Sequence, residues 1–209
     1  PPRSPVPLSG SSVRLSINFM SEIPPLADRL AAQAEAKEDT LSLLRSLAID
    51  AVTIEHDAAA TCDDHAAALA SASAASGAIA AKNLLVRSKL TKGFYLIVAP
   101  AAVAVHMGHV RRQLGLKNKD QLRFASEDDL WRLLATAPGS CNPFSLRYDT
   151  THDVTLLLER SLVADREARL VFHPMTNTAS TILSVPAFLD VFLPAIGRTD
   201  VQIVEGSDD

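Results

Sequence analysis

The distribution of apolar and polar positions along the chain predicts strands interspersed with helices. Two apolar segments that contain β-branched and aromatic residues, 80–86 and 93–99, flank the polar stretch 87–92 and predict an antiparallel hairpin. Shorter segments of similar character predict further strands at 51–56, 121–125, 154–159, 170–173, 180–184 and 201–205.

Helical spacing of leucines and alanines alternates with these strands. We expect one helix over 26–39 and a second over 41–47, for which Thr40 is a candidate N-cap. A helix that begins near Thr61 should run through an alanine-rich stretch and end before Ser76-Gly77. The remaining patterns predict helices at 105–116, at 127–134 behind the N-cap Ser126, and at 186–196 before Gly197.

Several neighbouring strand segments lack a helix between them, which indicates an α/β fold of the mixed, α+β kind around one sheet. A chain of 209 residues with 47% hydrophobic content can bury one sizeable core. Residues 1–23 are rich in proline, glycine and serine, show no periodicity and predict a flexible extension. We therefore expect one folded domain over 24–209.

Cysteine usage and the length of apolar runs indicate the cellular setting. Cys62 and Cys141 match no disulfide or metal-binding spacing, so a reducing compartment fits best. The apolar runs are far shorter than the roughly 20 residues that a bilayer requires. We expect a soluble, cytoplasmic protein.

Positive charge is concentrated in the middle third of a mildly acidic chain. Residues 80–125 carry nine Lys/Arg and one Asp/Glu, whereas the whole chain has 20 basic and 24 acidic side chains. If the fold places these basic side chains on one face, they predict a binding surface for a polyanion. The alternative is an ordinary solvent-exposed surface without a ligand. The candidates for contact with nucleic acid are Arg87, Lys89, Arg111, Arg112 and Lys117.

Three places in the chain are candidates for chemistry, and each also has a structural explanation. Lys82 is the one charged residue of an apolar strand, so its side chain either extends to the surface or lies beside an anion. The loop Gly139–Pro143 is either a simple turn or a rigid backbone cradle for a substrate group or a water. His173, between an apolar strand and Pro174, is either a packed histidine or a pocket residue.

Other chemistry is less well supported by the spacing of residues. His106 and His109 are one helical turn apart without a matching carboxylate or cysteine, so we expect a surface pair and no metal. Cys141 lies inside the Gly139 loop and is a possible nucleophile, although an ordinary loop thiol is the better interpretation. Asn177 and Thr178 either bind a ligand or cap a turn.

Taken together, five motifs resemble the YbaK and prolyl-tRNA-synthetase-associated editing domains, and most of all their free-standing alanyl-tRNA(Pro) deacylases. The similarity extends from about Thr40 to Glu205. The motifs are Thr53-Ile-Glu-His56, Lys82-Asn83-Leu84, Phe124-Ala-Ser126, Thr136-Ala-Pro-Gly139 with Pro143-Phe144, and Phe172-His173-Pro174 with Asn177-Thr178-Ala179.

The resemblance implies a single YbaK-like domain with a central mixed, largely antiparallel sheet surrounded by helices. It implies hydrolysis of a wrongly attached amino acid from tRNA(Pro), without metal or other cofactor. Prolyl-tRNA synthetase or a multi-synthetase complex would be a further partner. Lys82 and Gly139 would then be catalytic, and the substrate would contact Asn83, Ser140, Pro143, His173, Asn177 and Thr178.

Two alternatives stay open at this point. The loop interior Ser140-Cys141-Asn142 departs from what we expect of an alanine-specific protein, so cysteinyl and seryl esters are alternative substrates. A tRNA-binding or synthetase-associated assembly module without catalytic activity is the alternative from another functional class.

Overall fold

The computed structural model describes residues 25–59, 62–70 and 72–207. The expected N-terminal extension therefore lies outside the described residues. The described chain forms the helices α1 (Leu26–Ser46), α2 (Cys62–Ala70), α3 (Met107–Gln113), α4 (Glu127–Leu134), α5 (Arg160–Val163) and α6 (Leu193–Ala195). Short 3₁₀ helices span Ser73–Ala75 and Pro143–Tyr148, and a π-helical segment, Ala187–Phe192, leads into α6.

Among the described residues, eight strands form one mixed sheet, which confirms the predicted fold class. They are β1 (Val52–Glu55), β2 (Ile79–Ser88), β3 (Phe94–Pro100), β4 (Leu122–Phe124), β5 (Val154–Glu159), β6 (Arg169–Phe172), β7 (Ala179–Ser184) and β8 (Gln202–Val204). The order across the sheet is β1-β7-β6-β2-β3-β5-β8, and β4 pairs with the far end of β2. Neighbours are antiparallel except at β2–β6, β3–β5 and β5–β8, which are parallel.

The long central strand β2 organises the sheet because it pairs with three others. It forms the predicted antiparallel hairpin with β3, in which Leu84 aligns with Ile97 and Lys82 aligns with Ala99. Its parallel pairing with β6 aligns Ala80 with Val171. Since side chains alternate between the two faces of a strand, Lys82 lies on the same face as Ala80, and Asn83 lies on the opposite one.

Apolar side chains are buried on both faces of this sheet. The largest cluster packs α1, α4 and the 3₁₀ helix Pro143–Tyr148 over one face, with Phe144 and Phe172 fully buried in it. On the other face, α2 packs Leu69 against Val171 and Ile182. Residues near the first cluster and residues near α2 therefore lie on opposite sides of β2.

Of two helix N-caps predicted from the sequence, Ser126 is confirmed and Thr40 is wrong. Ser126 caps α4 in a complete capping box with Asp129. Thr40, in contrast, is buried inside the single helix α1, where its hydroxyl donates to the Ala36 carbonyl at 2.7 Å. A threonine hydroxyl can bond the carbonyl four residues earlier without ending the helix, so the predicted N-cap at Thr40 is wrong.

Two further differences concern helical segments. The helix over the alanine-rich stretch ends at Ala70, and the 3₁₀ turn Ser73–Ala75 follows it before Gly77, which has a φ of +71°. The pattern also did not predict the 3₁₀ helix Pro143–Tyr148, because a segment of six residues is too short to show helical periodicity. None of the helices that the structure describes is both long and apolar enough to cross a membrane.

Candidate active site

Lys82 is a half-buried ammonium held by backbone carbonyls that follow β3. Its Nζ donates to the carbonyl of Ala101 at 3.2 Å and also to the carbonyl of Val103. An ammonium has three N–H donors, so these two bonds orient the group and leave one donor for another acceptor. Lys82 can therefore present a fixed positive charge to an anion or to a developing oxyanion.

Asn83 lies on the other face of β2, towards the largest apolar cluster. Its Oδ1 is buried and has no hydrogen-bond partner among the residues that the structure describes. A buried amide oxygen without a partner costs about 1–3 kcal/mol, so it is a candidate acceptor for a ligand donor. The side chains of the neighbouring residues Lys82 and Asn83 thus lie on opposite faces of the sheet.

The loop Gly139–Pro143 owes its shape to one glycine and one asparagine. Gly139 is exposed with a φ of +81°, and a Cβ built there would meet nothing within 4 Å, so its backbone faces open space. Asn142 is fully buried; its Oδ1 accepts from the Phe144 N–H at 2.8 Å, and its Nδ2 donates to the Ser140 carbonyl at 2.7 Å. Asn142 therefore holds the loop from inside.

The side chains of the loop interior point into the protein. The Ser140 hydroxyl accepts from Nε2 of Gln33 at 3.2 Å, and Pro143 is buried. Burial raises the pKa of the Cys141 thiol to about 12, which keeps it protonated near neutral pH. A protonated, buried thiol is a poor nucleophile, so the ordinary structural interpretation of Cys141 fits best.

His173 lies beside two other histidines at the carboxyl end of β6. The ring centroids of His173 and His65 are 4.3 Å apart, and the ring of His56 lies 5.9 Å from each of them. Ser180 is shared between two of the rings, because its Oγ lies 2.8 Å from Nε2 of His56 and 2.7 Å from Nε2 of His65. One nitrogen from each ring lies within 4.8 Å of the other two.

Burial lowers the pKa of two histidines of this cluster, His65 and His173. Burial, followed by the nearby His173 and His56, lowers the pKa of His65 to about 4. Burial, followed by repulsion from His56, also lowers the pKa of His173, although its bond to the Ala179 carbonyl acts in the opposite direction. Positive charge in this region therefore comes from Lys82 rather than from the buried histidines.

The register of the sheet relates Lys82 to His173. Each lies two residues beyond the last aligned pair of β2 and β6, Ala80 and Val171, so both side chains are expected on the same face. The Gly139 loop reaches His173 indirectly, because Nδ2 of Asn142 lies 3.9 Å from Sδ of Met175. Among the described residues the hydrogen bonds of Lys82 go to Ala101 and Val103 and not to the loop, and convergence of the loop and Lys82 on one pocket stays a prediction.

Asn177 and Thr178 connect the turn after β6 to the segment after β1. The Asn177 carbonyl accepts from the Ala59 N–H at 3.0 Å, and the Thr178 carbonyl accepts from the His56 N–H at 2.9 Å. These bonds bring His56 and His173 together through the backbone. The contacts favour a turn-forming role for both residues, and their binding to substrate stays a prediction.

The candidate nucleic-acid contacts lie towards the other end of β2. Arg87 is exposed with its guanidinium over the Phe94 ring, 5.1 Å from the centroid. Arg111 lines a cavity of about 400 Å³ together with Arg123. Asp120, the one acidic residue of the basic block, is buried, accepts from the Ser88 hydroxyl and lines the same cavity, so it offsets part of the positive charge there. Lys89, Arg112 and Lys117 are exposed.

Comparison with known proteins decides the family. A sequence model described as the aminoacyl-tRNA editing domain matches residues 56–191, which include Lys82, Gly139 and His173. This chain belongs to the aminoacyl-tRNA editing domain family. The match begins at His56 and ends in the π-helical segment, so it spans most of the described sheet.

Relatives of this editing domain include proteins named for prolyl-tRNA. Prolyl-tRNA synthetase associated domain-containing protein 1 of Danio rerio is 31% identical over 173 residues, which cover 81% of this chain and 88% of the relative. The prolyl-tRNA editing protein ProX of Acetoanaerobium sticklandii is 27% identical, with coverage of 79% and 94%. A solved structure of a proposed trans-editing enzyme for prolyl tRNA synthetase has a TM-score of 0.55 at 18% identity and covers 90% of this chain. That structure supports the fold.

Sequence reasoning about this editing domain missed the grouping of its histidines. His65 lies on α2 and His56 directly follows β1, and neither has a spacing that signals a shared site. The pairing of β1 with β7 and of β7 with β6, which aligns Ser180 with Ile54 and Thr181 with Phe172, brings the segments of His56 and His173 together. Packing of α2 on the same face then adds His65. These contacts are tertiary, and no spacing in the sequence signals them.

Proposed function

We propose that this editing domain hydrolyses the ester of a mischarged tRNA(Pro), with alanyl-tRNA(Pro) as its main substrate. The observation that carries the proposal is Lys82, an ammonium oriented by two carbonyls with one donor left for a substrate. The family match and the printed names of the relatives support the same substrate class. The reaction is the transfer of the aminoacyl group to water.

The chemistry requires little from the protein, because an aminoacyl ester is already activated. Hydrolysis needs a positioned water, stabilisation of the tetrahedral oxyanion and a proton for the leaving ribose hydroxyl. In this proposal Lys82 stabilises the developing charge or anchors the 3′ end. The adjacent ribose hydroxyl carries the proton, so the step requires no protein base and no metal. His173, whose pKa is lowered by burial, shapes the pocket in its neutral form.

The backbone of Gly139 orients the aminoacyl carbonyl or the water in this mechanism. Its φ of +81° excludes most other residues, and the open space above it leaves room for a ligand. The side chains of Ser140, Cys141 and Asn142 are buried, so a ligand in that space would meet the loop through its backbone. Discrimination by size then excludes prolyl esters, and each excluded methylene contributes about 1–3 kcal/mol. Cysteinyl and seryl esters are the competing substrates.

The tRNA body lies along β2 in this proposal. Arg87 is five residues from Lys82 on one strand, which corresponds to about 17 Å. The exposed basic residues around Arg87 and α3 would therefore contact phosphates while the 3′ end reaches Lys82. This arrangement predicts salt-dependent tRNA binding.

Deacylation of alanyl-, cysteinyl-, seryl- and prolyl-tRNA(Pro) by the purified chain tests the proposal. Wild type should release alanine fastest and spare proline, and Lys82→Ala should lose most of this activity. Lys119→Ala is the matched control, because it removes an exposed charge from the same basic block. Equal rates for wild type and Lys82→Ala would remove Lys82 from the mechanism. Binding of tRNA without hydrolysis of any ester would favour the assembly module.

A further inference from the structure

The three clustered histidines come from three separate segments. His56 follows β1, His65 lies on α2, and His173 follows β6. His65 is 6% exposed, and His56 and His173 are half-buried. One ring nitrogen of each lies within 4.8 Å of the other two. Three imidazoles that converge in this way form a typical set of nitrogen ligands for a metal ion.

Hydrogen bonds to backbone carbonyls determine which nitrogens carry lone pairs. A carbonyl accepts only, so Nδ1 of His56 donates to the Asp57 carbonyl at 2.7 Å, and Nδ1 of His173 donates to the Ala179 carbonyl at 2.8 Å. In a neutral ring, the lone pair of each is then on Nε2. This is the arrangement of metal-binding histidines, whose second nitrogen commonly donates to a backbone carbonyl.

The Ser180 hydroxyl completes the assignment for His65. It has one proton, which it donates to Nε2 of His56, so it must accept from Nε2 of His65. The lone pair of His65 is therefore on Nδ1. Each ring then has one nitrogen that donates to the protein, which keeps the ring oriented, and one nitrogen with a lone pair. The lone pair of His56 accepts from Ser180 and becomes available to an ion when that serine moves.

We propose that His56, His65 and His173 bind one divalent transition metal ion, and that Zn²⁺ fits them best. Zn²⁺ takes imidazole nitrogens at about 2.0–2.1 Å in a tetrahedral arrangement, which separates ligand nitrogens by about 3.4 Å. The three rings must therefore move closer together around the ion. Water occupies the fourth position, because three protein ligands leave it open. The Ser180 hydroxyl lies on the lone pair of His56 Nε2, so its side chain must rotate away from His56 when the ion binds.

The ion would join the segment after β1, the helix α2 and the turn after β6. The site goes beyond the proposed deacylation, since Lys82 and the ribose hydroxyl carry that step without it.

Titration of Zn²⁺ into chelator-stripped protein, followed by calorimetry, tests the site. We expect one ion per chain, and a rise in Tm of about 5–10 °C at a free Zn²⁺ concentration of 100 times Kd. His65→Gln and His56→Gln should each weaken binding more than about 100-fold, since loss of an outer partner alone costs about 10- to 100-fold. The Co²⁺-loaded protein should show the visible bands of four-coordinate cobalt.

His106→Gln is the matched control, because His106 is exposed and belongs to the other histidine pair in the chain. It should bind Zn²⁺ like wild type. The proposal is overturned if wild type binds no Zn²⁺, if His56→Gln binds as tightly as wild type, or if His106→Gln loses the ion. His56 is less buried than His65, so His56→Gln decides the outcome if His65→Gln fails to fold. Deacylation by stripped protein is measured separately and does not bear on these outcomes.

Discussion

Replacement of Asn142 by alanine tests whether this residue holds the Gly139–Pro143 loop. The substitution removes the bond from the Phe144 N–H, at 2.8 Å, and the bond to the Ser140 carbonyl, at 2.7 Å. Both groups belong to buried residues, so they lose their partner without gaining water. A net hydrogen bond contributes about 1 kcal/mol, and a buried polar group without a partner costs about 1–3 kcal/mol. The free energy of unfolding should therefore fall by about 2–4 kcal/mol.

Urea unfolding followed by the fluorescence of Trp131, the single tryptophan, measures this change. Trp131 is buried on α4, so its signal reports unfolding of the core. The Tm should fall by about 5–15 °C for a chain of this length. Ser140→Ala is the control, because it removes only the Oγ that accepts from Gln33 at 3.2 Å and should cost under about 1 kcal/mol. The reasoning would be refuted if Asn142→Ala lowered the free energy of unfolding by no more than Ser140→Ala does.

Three further predictions concern buried polar groups. Arg198→Met should lower the free energy of unfolding by about 3–5 kcal/mol in urea titrations, because it leaves the buried carboxylate of Asp149 without the positive charge that contacts it at 2.6 Å. A loss under about 1 kcal/mol would contradict this reasoning. Cys141 should resist alkylation in the native protein up to about pH 9, because burial raises the pKa of its thiol to about 12. Peptide mapping distinguishes labelling of Cys141 from labelling of Cys62. Rapid labelling of Cys141 in the native protein would contradict the prediction, because it requires an accessible thiolate. In the presence of chelator, the free energy of unfolding should fall by about 2–3 kcal/mol as the pH drops from 6.5 towards 4, because His65 binds a proton in the unfolded chain but stays neutral in the folded one. His65→Gln should flatten this pH dependence. An equally steep curve for that variant would exclude His65 as its source.

Elements with strong local signals were predictable from the sequence. The β2–β3 hairpin, α4 with its Ser126 cap, and β5 were predicted with bounds close to those observed. Each depends on side-chain periodicity or on a cap within a few residues. Thr40 shows the limit of such signals, because a threonine fits both an N-cap and a helix interior. Burial of that helix against the core decided between the two.

The sequence by itself determined the fold class, the family and the identity of Lys82, Gly139 and His173 as candidates, because motif order and periodicity are properties of the chain. Only the tertiary structure showed that Asn142 is an internal support of the loop and that His65 belongs with His173. Both facts depend on segments that are distant in the chain and that meet through strand pairing and burial. No local sequence pattern encodes such tertiary contacts, because they depend on which apolar faces the whole chain can bury together.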